Sequence, residues 1–161
     1  MHVPAALSDA IAWWAAAYGD HRLLSVSIRF LHIIGLVIGG GTAIVTDRAI
    51  LRGARGTADE RASAMAVLHR SHRTVVPALV LVVATGVLLS TADLNTFLAS
   101  PIYWVKLALV ALLLLNGAGL VTAERLAAQR GAWRRLAFGS AASLALWVVL
   151  LFVGTLLTAS S

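Results

Sequence analysis

The sequence contains no cysteine. Disulfide bonds, thiolate metal sites and cysteine-ligated clusters are therefore excluded, although this absence leaves the redox compartment undetermined. Charged residues are also scarce, because Asp, Glu, Lys and Arg together make up only 12% of the chain. No segment shows the alternating apolar and polar pattern of a transmembrane β-strand, so a closed β-barrel is not expected.

Hydrophobic residues make up 60% of the 161 residues, more than a soluble domain of this size can keep away from water. A helix needs about 20 consecutive, mostly apolar residues to cross a bilayer. Four segments meet this requirement, at about 23–45, 74–91, 102–123 and 136–158. We therefore predict an all-α integral membrane protein in which one domain, 1–161, forms a four-helix bundle. A short N-terminal helix over 7–18 is predicted to lie at the membrane interface.

Arginine is concentrated in two of the three connections between these segments. The connections 46–73 and 124–135 contain most of it, as Arg48, Arg52, Arg55, Arg61, Arg70, Arg73, Arg125, Arg130, Arg134 and Arg135. The connection 92–101 contains no Lys or Arg. Because basic loops remain in the cytoplasm, we predict a multi-pass protein of a bacterial-type inner (cytoplasmic) membrane with both termini outside. The net charge of +6 is then explained by topology, and no nucleic-acid partner is expected.

Three ionisable residues fall inside the predicted spans, where each is costly unless something pairs with it. Arg29 and His32 lie on one face of the first span, roughly 9 and 13 Å from its outer end, and Lys106 lies about 6 Å into the third. We predict that Arg29, His32 and Lys106 form a cofactor-binding cluster in the outer half of the bilayer, with His32 as a metal ligand to haem iron. Alternatively, the two cations snorkel to headgroups and His32 bonds a backbone carbonyl.

Small residues indicate which helix faces can pack closely. Gly35 and Gly39 form a small-xxx-small pair, followed by Gly40 and Gly41, and we expect this surface to pack against another helix. A similar surface is expected at 116–119 in the third span. On the cytoplasmic side, Thr57 to Glu60 predicts a capped helix start, from which the second helix extends into the span.

His69 and His72 precede the apolar part of the second span. They lie too far from His32 along the bundle axis to share one haem with it, about 15 to 20 Å by helix rise. We predict ordinary interfacial residues here, with a weak metal site or anionic-lipid contact as the alternative.

Two runs of sequence resemble a known family. The first is 29–35 (RFLHIIG), followed by glycines and then Arg48, which resembles the first span of HemJ-type protoporphyrinogen oxidases and of the related CopD-like membrane proteins. The second is 103–110 (YWVKLALV), which resembles the start of the HemJ third span, with Lys106 at the position of the family's lysine. Together the matches cover roughly 25–119.

The resemblance implies a four-helix membrane protein that associates with haem b, with His32 and Lys106 as functional residues, and, for HemJ, oxidation of a porphyrinogen. Two positions depart from the HemJ pattern. Asn116 and Gly117 stand where a histidine is usual late in the third span, and Ile102 replaces a tryptophan. The resemblance therefore supports the fold and the cluster of Arg29, His32 and Lys106 more strongly than it supports an oxidoreductase activity.

These observations lead to two main hypotheses. The first is a membrane redox protein that binds b-type haem, or a porphyrin or quinone, near the outer-half cluster. The second is a non-catalytic accessory subunit that stabilises a larger membrane complex, or a homo-oligomer, through its glycine faces, in contact with membrane lipids. An ion or metal permease is less favoured, because none of the predicted spans contains a carboxylate.

Overall fold

A computed structural model describes residues 5–160, and within that range the chain forms six helices. In chain order they are α1 (Ala5–Asp20), α2 (Arg22–Gly53), α3 (Ala58–Ala92), α4 (Leu94–Ala99), α5 (Pro101–Arg130) and α6 (Trp133–Ser160). The four longest, α2, α3, α5 and α6, are long and apolar enough to cross a membrane. The prediction of an all-α, multi-pass membrane bundle preceded by a short helix is confirmed.

Each long helix extends beyond the apolar segment that predicted it. α2 has 32 residues, which is about 48 Å at the usual helical rise, whereas the hydrocarbon core is about 30 Å thick. α3 begins at a capping box, in which the Thr57 hydroxyl accepts from the Glu60 amide at 3.3 Å and the Glu60 carboxylate accepts from the Thr57 amide at 2.6 Å. The capped start predicted at 57–60 is therefore confirmed. The six-residue helix α4 was not predicted, because it is too short to show a periodic pattern.

The bundle has two distinct ends. At one end, called the terminal end below, α2 begins, α6 ends, and α3 connects through α4 to α5. At the arginine-rich end, α2 turns into α3 and α5 turns into α6, where Gly131 takes the left-handed conformation, with a φ of 66°, that closes α5.

The helices form an open arrangement in which α3 and α5 meet through side chains at the arginine-rich end and hardly approach each other elsewhere. α2 packs most extensively against α3, α5 packs against α6, and a smaller α2–α6 contact joins the two pairs. α5 is the least covered of the long helices, since Leu113 and Ala127 are its only buried residues. One side of the bundle, between α3 and α5, is therefore open to lipid.

Three glycines of α2 allow this helix to pack closely against α3 and α6. A Cβ atom on Gly35 would lie 2.9 Å from a Val82 methyl group, and one on Gly39 would lie 3.1 Å from the Ala78 Cβ, both on α3. A Cβ on Gly40 would lie 3.1 Å from the Trp147 ring on α6, whereas nothing lies within 4 Å of Gly41. The prediction that this surface packs against another helix is confirmed, and the helices concerned belong to the same chain.

Candidate functional site

His32 lies between α2 and α3, near the terminal end. It is buried, with 9% of its surface exposed, and its Nδ1 atom is 2.9 Å from the hydroxyl oxygen of Thr85. The ring also packs against Gly86, where a Cβ would approach its Cε1 atom to 3.3 Å. The polar partner is therefore a threonine hydroxyl, which sequence reasoning could not identify without the α2–α3 register.

The hydrogen bonds around Thr85 determine the tautomer of His32. The Thr85 hydroxyl donates to the Leu81 carbonyl at 2.6 Å, so its only proton is already in use. Nδ1 of His32 is then the donor to Thr85, and the ring also lies within hydrogen-bonding reach of the Val82 backbone carbonyl, as the alternative interpretation of His32 expected. A histidine that ligates a metal is usually oriented in this way, by a hydrogen bond from one of its ring nitrogens.

Lys106 is half-buried on α5, near the same end of the bundle. Its ammonium group lies close enough to act electrostatically on the His32 ring. Among residues 5–160 the ion pairs join His69 and His72 to Glu124, and no carboxylate pairs with Lys106. Lys106 on α5 and His32 on α2 thus lie within electrostatic range of each other, with no hydrogen bond between their described side chains.

Arg29 does not join this pair. It is exposed, and its Nε donates a hydrogen bond of 2.9 Å to the hydroxyl of Tyr18 on α1. Its guanidinium group also lies 5.9 Å from the centre of the Tyr18 ring, as a cation–π contact. Arg29 is therefore at the rim of the bundle, directed towards α1, while His32 faces the interior.

A buried carboxylate lies in the other half of the bundle, which corrects an expectation drawn from the sequence. Asp47 is only 3% exposed, and the hydroxyl groups of Ser140 and Ser143 on α6 lie beside its carboxyl group. The polar run 46–48 predicts the start of a loop, but α2 continues to Gly53 and turns Asp47 towards α6. The argument against a permease from the absence of a carboxylate in the spans is therefore wrong.

Asp47 lacks a full set of hydrogen bonds. Its Oδ2 atom and the Oγ atom of Ser140 are buried, and neither has an acceptable hydrogen bond within the described part of the chain. A buried carboxylate oxygen that makes no well-aligned bond with the serine hydroxyls beside it is unfavourable.

A cavity of about 590 Å³ lies beside Asp47. Its walls are almost entirely apolar and come mainly from α3 and α5, at the open side of the bundle. Its polar residues cluster at the arginine-rich end and are Thr46, Asp47, Ser71, His72 and Ser143. His32 and Lys106 do not line this cavity, so the molecule has two separate polar regions in its interior.

His69 and His72 meet a residue that sequence reasoning did not connect with them. Nδ1 of His69 and Nε2 of His72 lie 3.9 and 3.2 Å from the two carboxylate oxygens of Glu124 on α5. His69 is largely exposed, and within residues 5–160 no group of three His, Asp or Glu side chains is arranged to hold a metal ion. The antiparallel order of the spans could have predicted this contact, because it places the end of α5 beside the start of the apolar part of α3.

Comparisons of the chain with protein-family models, with curated proteins and with solved structures give no match. The helices alone therefore show the fold class, and the two polar regions are the features of the molecule that bear on its function.

Proposed function

We propose that the chain is a membrane redox protein that binds b-type haem, or a related porphyrin, near the terminal end of the bundle, with His32 as an axial ligand. The observation that carries this proposal is a buried imidazole whose orientation is fixed by the Thr85 hydroxyl group. An imidazole in this state is a suitable ligand for haem iron. The resemblance of 29–35 and 103–110 to HemJ-type sequences supports the same reading.

Lys106 and Arg29 supply the rest of this proposed site. Lys106 has no carboxylate partner among the described residues, so its ammonium group would be free to meet a propionate of the haem. Arg29 lies at the rim, where it would meet a propionate directed towards α1. When bound, the haem would supply one-electron chemistry, while the protein sets its orientation and surroundings.

Absorption spectroscopy tests the proposal. Protein from haem-supplemented cells should show a Soret band and, with dithionite, the sharpened bands of reduced b-type haem. His32→Ala should abolish the Soret band, whereas His21→Ala should keep it, because His21 is exposed and makes no side-chain cap bond at the start of α2. A colourless wild-type protein, or a band of equal intensity in both variants, would refute the proposal.

A second candidate function is that of a non-catalytic subunit of a larger membrane complex. The observation that favours it is the open surface of α5, where nothing lies within 4 Å of a Cβ built on Gly117 or Gly119. Exposed small residues allow another transmembrane helix to approach closely. In mild detergent such a protein should co-purify with its partner, or with a second copy. Gly119→Leu should release the partner, while His32→Ala should retain it.

We further propose that the arginine-rich end faces the cytoplasm of a bacterial-type inner membrane and that both termini lie outside. The support is Arg55 in the connection 54–57 and the arginines of the helix ends beside the connections 54–57 and 131–132. Because the chain has no cysteine, single cysteines introduced at Ser63 and Asn95, both exposed, can be labelled without interference. An impermeant maleimide added to intact cells should label Asn95→Cys alone. Labelling of Ser63→Cys alone would show that the protein has the opposite orientation.

A further inference from the structure

The cavity between α3 and α5 has the form of a ligand site that opens to the bilayer. At its mouth, Val76 and Val80 of α3 and Leu114 and Gly117 of α5 are exposed on the outside of the bundle. Along α3 the cavity runs from Leu68 to Ala84, a distance of about 24 Å by helix rise. A molecule in it would therefore reach from the arginine-rich interface towards the middle of the membrane.

The polar end of the cavity favours a ligand that carries a hydrogen-bond donor. The hydroxyl proton of Thr46 is used on the Thr42 carbonyl at 2.8 Å, and that of Ser71 on the Leu68 carbonyl at 2.7 Å. Their oxygens therefore remain only as acceptors. Asp47 adds a buried carboxylate beside the hydroxyl groups of Ser140 and Ser143, and its Oδ2 atom makes no well-aligned hydrogen bond with any described residue. The other polar residues at this end, His72 and Ser143, lie beside Glu124 and Asp47. A molecule with a donor at this end and apolar surface elsewhere therefore matches the cavity.

The dimensions limit the size of that molecule. A cavity of about 590 Å³ is within the range of small-molecule sites, and it holds about 20 non-hydrogen atoms at roughly 30 Å³ each. A hydroxyl is the donor that a membrane-soluble molecule carries most readily, because a charged ammonium is costly to bring through hydrocarbon.

We propose that this cavity binds an apolar molecule of the bilayer through a hydroxyl group that donates a hydrogen bond to Asp47. A hydroquinone with a hydrocarbon tail and a long-chain alcohol both provide this chemistry. The site is separate from the His32–Lys106 pair, and its occupancy does not require haem.

Retention of probes by purified protein in lipid nanodiscs tests the proposal, with empty nanodiscs as the reference. Two matched pairs of probes differ only in the donor: decyl-hydroquinone, kept reduced, against decyl-benzoquinone, and dodecanol against its methyl ether. In at least one pair the hydroxyl probe should bind one per chain and at least about tenfold more tightly than its partner, as expected for a hydrogen bond to a charged group. If only the hydroquinone shows this preference, the ligand is a quinol; if both hydroxyl probes do, it is a hydroxyl-bearing lipid in general.

Two sets of variants locate the binding. Asp47→Asn keeps the shape of the side chain but replaces an acceptor by a donor, so the preference for hydroxyl probes should disappear. Gly117→Leu projects a side chain into the cavity and should abolish retention, while Gly119→Leu is the matched control, since Gly119 lies on the same helix with equally open surroundings but does not line the cavity. Thermal unfolding should first show that all three variants are folded.

Three outcomes would overturn the proposal. Retention equal to that of empty nanodiscs would mean that lipid chains or a neighbouring helix fill the cavity. Equal binding of hydroxyl and non-hydroxyl probes in both pairs would remove the role of Asp47. Equal loss of binding in Gly117→Leu and Gly119→Leu would place the probes elsewhere on α5.

Discussion

The contact between α2 and α6 can be tested with two neighbouring glycines that face different surroundings. A Cβ on Gly40 would lie 3.1 to 3.5 Å from three carbons of the Trp147 ring, and that ring is only 2% exposed and cannot move freely. Nothing lies within 4 Å of a Cβ on Gly41. Leucine at these two positions therefore differs in its packing and hardly at all in its effect on the helix.

The expected difference follows from this geometry. Each Gly→Leu change favours the helix by a similar amount, up to about 1 kcal/mol, and this contribution cancels in the comparison. Overpacking at a filled contact destabilises by about 1–3 kcal/mol, so Gly40→Leu should lower the free energy of unfolding by about that amount relative to Gly41→Leu. The cost should be at the upper end, because a whole leucine side chain must displace the indole ring.

Unfolding by SDS in mixed micelles, followed by tryptophan fluorescence, measures this difference. Gly40→Leu should unfold at a lower SDS fraction than Gly41→Leu, and its emission should shift because Trp147 becomes exposed. Equal transitions in the two variants would show that Gly40 does not face Trp147, and the packing of α6 on α2 would have to be revised.

Three smaller changes test individual hydrogen bonds, each by the same SDS unfolding measurement. Thr85→Val removes the acceptor of a buried His32 proton and should destabilise by about 1–3 kcal/mol. Asn116→Leu removes the 3.0 Å bond to the Gly139 carbonyl that joins α5 to α6, and about 0.6 kcal/mol should be lost, as is typical of such bonds in membranes. Thr57→Ala breaks the capping box of α3 and should cost about 1 kcal/mol.

Each of these changes has a control elsewhere in the chain. The Thr91 hydroxyl bonds only to carbonyls of its own helix, so Thr91→Val should have a smaller effect than Thr85→Val. Asn95→Leu and Thr122→Ala alter exposed residues and should leave the transition unchanged. Equal effects at test and control positions would contradict the assigned bonds.

The sequence predicts the fold well because membrane spans depend on a local property. Uninterrupted apolar stretches of sufficient length are visible without knowledge of the tertiary structure, and the glycines of α2 indicated a close helix contact in advance. Which helices make that contact was not predictable, because it depends on the register between α2, α3 and α6. The Thr85 partner of His32 was missed for the same reason.

Asp47 shows what hydropathy alone overlooks. A window average treats the polar run 46–48 as the end of a span, although one side of the helix remains buried there. The pattern of Gly40, Ala43, Asp47 and Ile50, spaced three and four residues apart, marks a continuous helix face and could have predicted that Asp47 is turned inwards. Arg29 illustrates the reverse case, since three-residue spacing from His32 did not bring both side chains to the same surroundings.

The lateral opening between α3 and α5 affects how binding to this protein should be measured. A molecule that reaches the cavity from the hydrocarbon is drawn from a reservoir whose concentration is set by its partition coefficient and by the volume of lipid present. A dissociation constant expressed per litre of buffer would then change whenever the lipid content of the sample changed. Expressed as mole fraction in the bilayer, the same constant would stay fixed across preparations.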